Sequence, residues 1–410
     1  MLKPSHLLSS LPFLMLPLVA AAQQGLVFSP NATASEDGRH ELKFGNVTVV
    51  PKAALRLGRD DNLTQAPGTP AQPAVSSAFW LADVGVTADL AYKGDRYSLE
   101  YLGAFTRYTS SSTDNTEVHN LQLQGVNVLT TRNAVRWQAG LVDGYDPRGS
   151  TDATTAVLVP SHFRTYRAGG TYSFGAEGAK GRLEGDAFLS TKEYLNNRAV
   201  MATADVDTTE VNGRFFWRVM PKTSAVLDVR FADFDYVAAN AGLDSTSLQL
   251  LVGANWDATA ATSGSFRVGH TSRRYDERAD FSGLSWEAGV TWKPLTYSSW
   301  TLTTGRNVAD TNSGATATVG DYVLATQFGV SWAHLWRSNL RTELAWTHVK
   351  SDYRGIMRLD KQDSFKAGVY YGFRSWLSTG FEVSQTDRRS TLPEFNFKRL
   401  QTMAVLRSDF

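Results

Sequence analysis

An antiparallel up-and-down transmembrane β-barrel of about eighteen strands is the all-β fold class that this 410-residue sequence predicts. Three observations predict it. From residue 47 onward apolar and polar residues alternate in segments of about 10 to 16, the period of strands with one apolar face. The links between segments are short and long in turn, as in an outer-membrane barrel with periplasmic turns and extracellular loops. No apolar run of 18 or more residues follows residue 22, so helices do not carry the chain across a membrane.

Residues 1–22 read as a signal peptide: Lys3 and His6 open it, Leu7 to Val19 is apolar, and Ala20, Ala21 and Ala22 offer a small-residue cleavage site before Gln23. Pro12 and Pro17 interrupt a stretch too short for the roughly 20 residues of a spanning helix. Residues 23–46 form a periplasmic N-terminal segment, and 47–410 the barrel. With no cysteine there is no disulfide framework, thiolate metal site or thiol nucleophile. The 41 Lys+Arg residues fall to 40 without Lys3, matching 40 Asp+Glu, so no basic field is expected for nucleic acid or an anionic membrane surface.

The strands are expected near 47–57, 79–92, 95–108, 117–129, 133–144, 162–174, 181–195, 205–219, 222–236, 245–257, 263–275, 282–293, 297–308, 318–334, 338–350, 362–373, 375–387 and 397–410. Sixteen is the alternative count. In the second segment Trp80, Ala82, Val84, Val86, Ala88, Leu90 and Tyr92 share one face, opposite Asp83, Gly85, Thr87 and Asp89. The fifth sets Val135, Trp137, Ala139 and Leu141 against Arg136, Gln138 and Gly140. The twelfth sets Leu284, Trp286, Ala288, Val290 and Trp292 against Ser285, Glu287, Gly289 and Lys293. The weakest patterns are the thirteenth, where Trp300, Leu302 and Thr304 alternate poorly, and the ninth, interrupted by Asp233 and Asp235.

Links after even-numbered strands are short, as at 93–94, 130–132, 220–221, 294–296 and 374, which places them in the periplasm. Links after odd-numbered strands are longer: 58–78, 109–116, 145–161, 351–361 and 388–396. The links near 175–180 and 258–262 are the exceptions. Aromatics cluster beside the short turns: Tyr92, Tyr97, Trp137, Tyr172, Phe174, Trp217, Trp256, Trp292, Tyr297, Trp332, Trp336, Tyr371 and Trp376. Their amphipathic rings suit a membrane interface. Phe410 resembles the terminal aromatic assembly signal of bacterial outer-membrane barrels. A soluble propeller would need shorter strands and a blade repeat, which the sequence lacks.

Eighteen strands leave room for an aqueous channel, so inward residues should carry function. The candidate pore-lining residues are Arg136, Arg167, Arg214, Arg218, Arg230, Arg267, Arg341, Asp83, Asp89, Glu184, Asp186 and Glu287, with Arg56, Glu100, Gln138, Glu210, Asp228, Lys293, Glu343 and Lys366 on the same parity. Cross-strand pairing could satisfy most of them. Alternatively, Arg214, Arg218, Arg230 and Arg267 outnumber nearby Glu210 and Asp228 and form a band for carboxylates or phosphates. Phe216 and Tyr370 should face inward, to stack on sugars or to pack against a loop. Loops 58–78 and 145–161 are candidates for a plug. No catalytic motif, metal-ligand spacing or cofactor loop occurs, and the histidines are scattered.

The stretch Pro51-Lys52-Ala53-Ala54-Leu55-Arg56-Leu57, followed by Gly58-Arg59-Asp60-Asp61-Asn62-Leu63, resembles the beta-barrel porin family associated with exopolysaccharide export operons, through the Asp-Asn step after the opening strand. The resemblance implies an outer-membrane pore of a Gram-negative bacterium that releases a secreted polysaccharide with a periplasmic export protein as partner. It supplies no lumen motif. A general or oligosaccharide-selective diffusion porin taking small polar solutes is the alternative, and a barrel enzyme a further one. The cargo's charge, the direction of transport and the oligomeric state are not legible.

Overall fold

The computed structural model describes residues 41–151, 157–176, 178–257, 261–311 and 320–409. The expected signal peptide, most of the segment 23–46 and Phe410 lie outside the described residues.

A short strand, β1 (Leu42–Phe44), pairs with the start of β2. The barrel wall then consists of β2 (Val47–Asp60), β3 (Ser77–Tyr92), β4 (Asp95–Tyr108), β5 (Thr116–Val128), β6 (Asn133–Asp146), β7 (Ser161–Phe174), β8 (Gly181–Tyr194), β9 (Val206–Met220), β10 (Thr223–Tyr236), β11 (Ser245–Trp256), β12 (Thr262–Tyr275), β13 (Phe281–Leu295), β14 (Ser298–Ala309), β15 (Tyr322–Arg337), β16 (Leu340–Arg354), β17 (Arg358–Arg374), β18 (Leu377–Ser390) and β19 (Phe397–Asp409). A four-residue helix, α1 (Arg198–Met201), lies between β8 and β9. Each wall strand pairs antiparallel with the next, as in Val86↔Tyr101 and Trp346↔Phe365. β19 returns to β2, from Gln401↔Asp60 to Asp409↔Lys52, and closes the ring. Closure lets strands cross a bilayer, because their backbone donors and acceptors find partners without water.

The period-two pattern decides which face meets lipid. Leu55, Leu57, Trp80, Val84, Val86, Leu121, Leu250, Val252, Leu302 and Phe381 are all exposed on the outside, while Ala54, Asp83, Asp228, Leu251 and Val405 are buried on the inside. The two weak segments both form strands. Asp233 and Asp235 sit at the loop end of β10, beyond the apolar stretch Leu227, Val229 and Phe231 that faces lipid. Trp300 and Leu302 of β14 face outward beside Trp332 and Val330, which supply the apolar contacts that the strand's own threonines do not.

The short links are tight turns at one end of the barrel. Lys93 and Gly94 carry φ of 50° and 97°, the left-handed pair that a two-residue hairpin turn requires. Elsewhere glycine permits a close approach within the wall: an added Cβ would lie 1.8 Å from Phe266 O at Gly253 and 1.9 Å from Leu250 O at Gly269. Both links singled out as exceptions join the short-turn end, so the alternation holds. One expected loop is corrected. Residues 351–361 are not a long loop: β16 runs to Arg354, β17 restarts at Arg358, and a turn of three residues with Gly355 at φ 85° joins them.

At the short-turn end the expected aromatics line the outer wall with their polar edges engaged. Tyr97 and Trp137 share Asn127, whose Nδ2 donates to the tyrosine hydroxyl at 2.6 Å and whose Oδ1 accepts from the indole at 3.0 Å. Trp336 Nε1 donates to Thr342 Oγ1 at 2.9 Å. Rings whose body lies in hydrocarbon and whose edge is hydrogen-bonded fit an interface.

Candidate functional site

All twelve candidate residues lie on the inward face, since each is offset by one residue from outward apolar neighbours. Arg136, on β6, reaches over β7 to Glu184 on β8 at 2.9 Å. Glu184 also lies 3.5 Å from Arg182 and 3.2 Å from Arg214, and Arg214 donates to Asp186 at 2.8 Å. Arg167 grips Glu210 with two parallel hydrogen bonds of 2.9 Å. That forked geometry is what a guanidinium offers a carboxylate.

A second cluster spans β10 to β13. Arg230 reaches Glu287 across two intervening strands, at 2.7 and 3.1 Å, and also donates to Asp228 at 2.8 Å. Arg267 lies 3.2 Å from Glu287 and 3.3 Å from Asp228, whose side chain is fully buried beneath the two guanidiniums. On the remaining wall Arg56 pairs with Asp83 and approaches Glu382 at 3.9 Å, Arg341 meets Glu343 at 2.7 Å, and Lys52 lies 4.0 Å from Glu100. Asp89 lies toward the short-turn end of β3, and Arg218 near that end of β9, its guanidinium close to Gly178.

These pairings change the expected arginine band. Arg214, Arg230 and Arg267 face Glu184, Asp186, Asp228 and Glu287, not merely Glu210 and Asp228. The positive excess shrinks because carboxylates one to three strands away reach the same guanidiniums. The inward aromatics also differ from both expectations. Arg182 covers the Phe216 ring at 4.6 Å, and Arg341 and Arg407 approach the Tyr370 ring at 5.3 and 5.6 Å. The Tyr370 hydroxyl donates to Glu382 at 2.9 Å. Neither ring waits for a loop. Arg182, Glu382 and Arg407 were missed as lining residues, although Glu382 lies between Phe381 and Val383, the same signal that marked the others.

The loop end is built differently. Asn62 Nδ2 donates to Ala66 O at 2.8 Å and to Lys398 O at 2.9 Å, while its Oδ1 accepts from Ala66 N, so one side chain folds the β2–β3 loop and ties it to β19. Arg148 Nε donates to Asp114 at 2.8 Å. Arg388, an inward residue of β18, donates to Gly149 O at 2.7 Å. Five strands lie between β6 and β18 around the wall, so residues 147–151 cross the mouth as a chord. Of the two candidate plugs, both therefore contribute: Thr64 and Gln65 are buried, with their carbonyls against Gly149.

Chemically, the wall offers many fixed donors and acceptors whose charges largely cancel, under a mouth narrowed by loops. The family described as Putative beta-barrel porin 2 matches residues 41–410. No curated protein sequence matches the chain. Among solved structures, a BenF-like porin from Pseudomonas fluorescens Pf-5 is 9% identical, with 88% of this chain and 99% of that one covered at a TM-score of 0.49. OccAB3 of Acinetobacter baumannii is 12% identical, covering 88% and 99% at 0.46. The FrpB iron transporter of Neisseria meningitidis (F3-3 variant) is 11% identical, covering 83% of this chain at 0.45, and this chain spans 62% of its length. At these scores the likenesses add nothing to what the strand ladder shows.

Proposed function

The chain belongs to the Putative beta-barrel porin 2 family and is thus a channel of a Gram-negative outer membrane, not an enzyme; on that premise we propose that it releases a secreted exopolysaccharide. The observation that carries the reading is the self-compensated inner wall. A polymer drawn through a pore makes many contacts at once, and each must be weak enough to exchange. Guanidiniums already held by Glu184, Glu210 and Glu287 present polar N–H edges without a strong unpaired field. Sugar hydroxyls can trade hydrogen bonds along such a surface, and a neutral or weakly charged polymer suits it better than a strongly anionic one.

The partner in this reading is a periplasmic polysaccharide-export protein at the short-turn end, and the signal peptide is removed near Ala22 and Gln23, which N-terminal sequencing of the mature protein tests. Deleting the gene should leave polymer in the periplasm, measured by sugar analysis of osmotic-shock fluid. Normal secretion with lost uptake of a small solute would sink the export reading. It would instead support a diffusion porin, the second reading, which the loop chord from residues 147–151 to Arg388 favours because such a chord narrows the mouth.

A further inference from the structure

Charges on the lipid side of this barrel gather at the loop ends of the strands, and on β14 to β18 they form a row. Strand pairing places Arg306 opposite Thr326, Thr326 opposite Lys350, Lys350 opposite Lys361, and Lys361 opposite Arg389. Each shares its face with an exposed apolar residue of its own strand: Leu302, Phe328, Trp346, Phe365 and Phe381. The row therefore points outward. At ~3.3 Å per residue, Lys350 and Lys361 stand about 13 Å along the strands beyond Trp346 and Phe365, where hydrocarbon gives way to headgroups.

Two like charges at directly paired positions destabilise a sheet unless something lies between them. The carboxylates on this face do not reach the two lysines: Asp352 is with Arg354 at 2.7 Å, Asp363 with His348 at 2.9 Å, and Asp387 lies 3.3 Å from Arg389, the member of the row that it partly compensates. Among the described residues no carboxylate pairs with Lys350 or Lys361. The rim is not uniformly basic, because on β8 to β10 the corresponding outward positions are Glu193, Asp207, Asp233 and Asp235, all exposed. Sign thus varies around the barrel at one level, and the basic sector adjoins an aromatic wall of Trp286, Phe328, Trp346 and Phe365.

We propose that Arg306, Lys350, Lys361 and Arg389 hold the phosphate-bearing headgroup of an outer-leaflet lipid, its acyl chains lying along that aromatic wall. Neighbouring strands are about 4.8 Å apart, so one phosphate can bridge the two opposed ammonium groups. The four cations extend over roughly 19 Å of rim, enough for a headgroup with two phosphates. A free anion would meet the same charges but leave the apolar wall unused.

Native mass spectrometry of the detergent-purified barrel, titrated with bisphosphorylated lipid A and with its dephosphorylated form, tests this. The unmodified protein should retain the phosphorylated lipid more tightly. Lys350→Gln with Lys361→Gln should weaken that binding about 25-fold, from about fivefold per lysine, and leave the dephosphorylated lipid unaffected. Lys350→Arg with Lys361→Arg should bind as the unmodified protein does, and Asp233→Asn with Asp235→Asn should change neither lipid. Equal retention of the two lipids by the unmodified barrel, or unchanged affinity in the double Gln variant, would overturn the proposal. Displacement of the lipid by inorganic phosphate at matched concentration would also overturn it, assigning the row to a free anion. If the Gln pair does not fold, the comparison of the two lipids on the unmodified barrel and on the Arg pair decides.

Discussion

Two arginine–carboxylate pairs, Asp60 with Arg399 at the mouth and Arg167 with Glu210 in the lumen, differ in their access to water. At the mouth, Asp60 takes three hydrogen bonds from Arg399, of 2.5 to 3.2 Å, and one of 2.9 Å from Gln401, all under the loops. Arg358 and Asp360 are likewise buried, with Arg358 sandwiched between the Tyr353 and Phe395 rings. Midway down the lumen, Arg167 and Glu210 keep 22% and 27% of their side chains exposed. The chemistry is the same at both levels. The consequence of breaking a pair is not, because a buried ion left alone cannot be rehydrated whereas a lumenal one can. Pairing alone does not identify a functional residue; water at its edge does.

The sharpest way to break this comparison is Asp60→Ala against Glu210→Ala. The first leaves Arg399 uncompensated and should cost about 3 to 5 kcal/mol; the second should cost about 1 kcal/mol or less. Urea unfolding in lipid bilayers measures both, and equal losses would erase the distinction between the two levels. Next in size is the contrast between wall faces: Val86→Arg and Ala288→Arg each place a charge against lipid, at roughly 2 to 4 kcal/mol. Thr87→Arg faces the lumen and should assemble normally, so impaired assembly of all three would refute the inside–outside assignment.

A smaller effect on stability, but a larger one on conduction, is expected from Glu287→Gln. It removes one of the two carboxylates that hold Arg230 and Arg267 and leaves Asp228 alone against both, so reversal potentials of the reconstituted channel should shift toward anions; Asp360→Asn should destabilise the mouth without moving them. Unchanged selectivity in Glu287→Gln would show that the second cluster does not line the conducting path. The mildest change fixes which side the mouth faces. In this cysteine-free chain Ser150→Cys should react with an impermeant maleimide on intact cells and Lys222→Cys should not; the opposite outcome would invert the topology.

The strand count and the alternation of link lengths were legible because lipid imposes a strict period of two on the outer face. The pattern fades where the membrane ends. Lys350, Asp352 and Arg354 still point outward on β16, but into headgroups and water, so such polarity disguised eight strand residues, 351–354 of β16 and 358–361 of β17, as a loop at 351–361. Facing direction was legible for the lumen residues by the same logic. Their partners were not, since Arg136 and Glu184 lie 48 residues apart and Arg230 and Glu287 lie 57 apart. Which guanidinium meets which carboxylate depends on strand register and wall curvature, and only folding supplies those. The arginines that cover the Phe216 ring and approach the Tyr370 ring were hidden for the same reason.

The step Asp60-Asp61-Asn62 also sets an order of events. Asp60 needs Arg399 and Gln401, Asp61 accepts from Leu400 N at 2.6 Å, and Asn62 holds Lys398 O, so three successive residues near the beginning of the wall depend on four near its end. Until β19 arrives, the edge of β2 is open and these groups must stay hydrated. A chain halted before Lys398 could lay down most of its ladder yet would never gain this clasp. The last strand therefore brings the clasp with it: completion of the ring, rather than the mere number of strands formed, is what joins these seven residues.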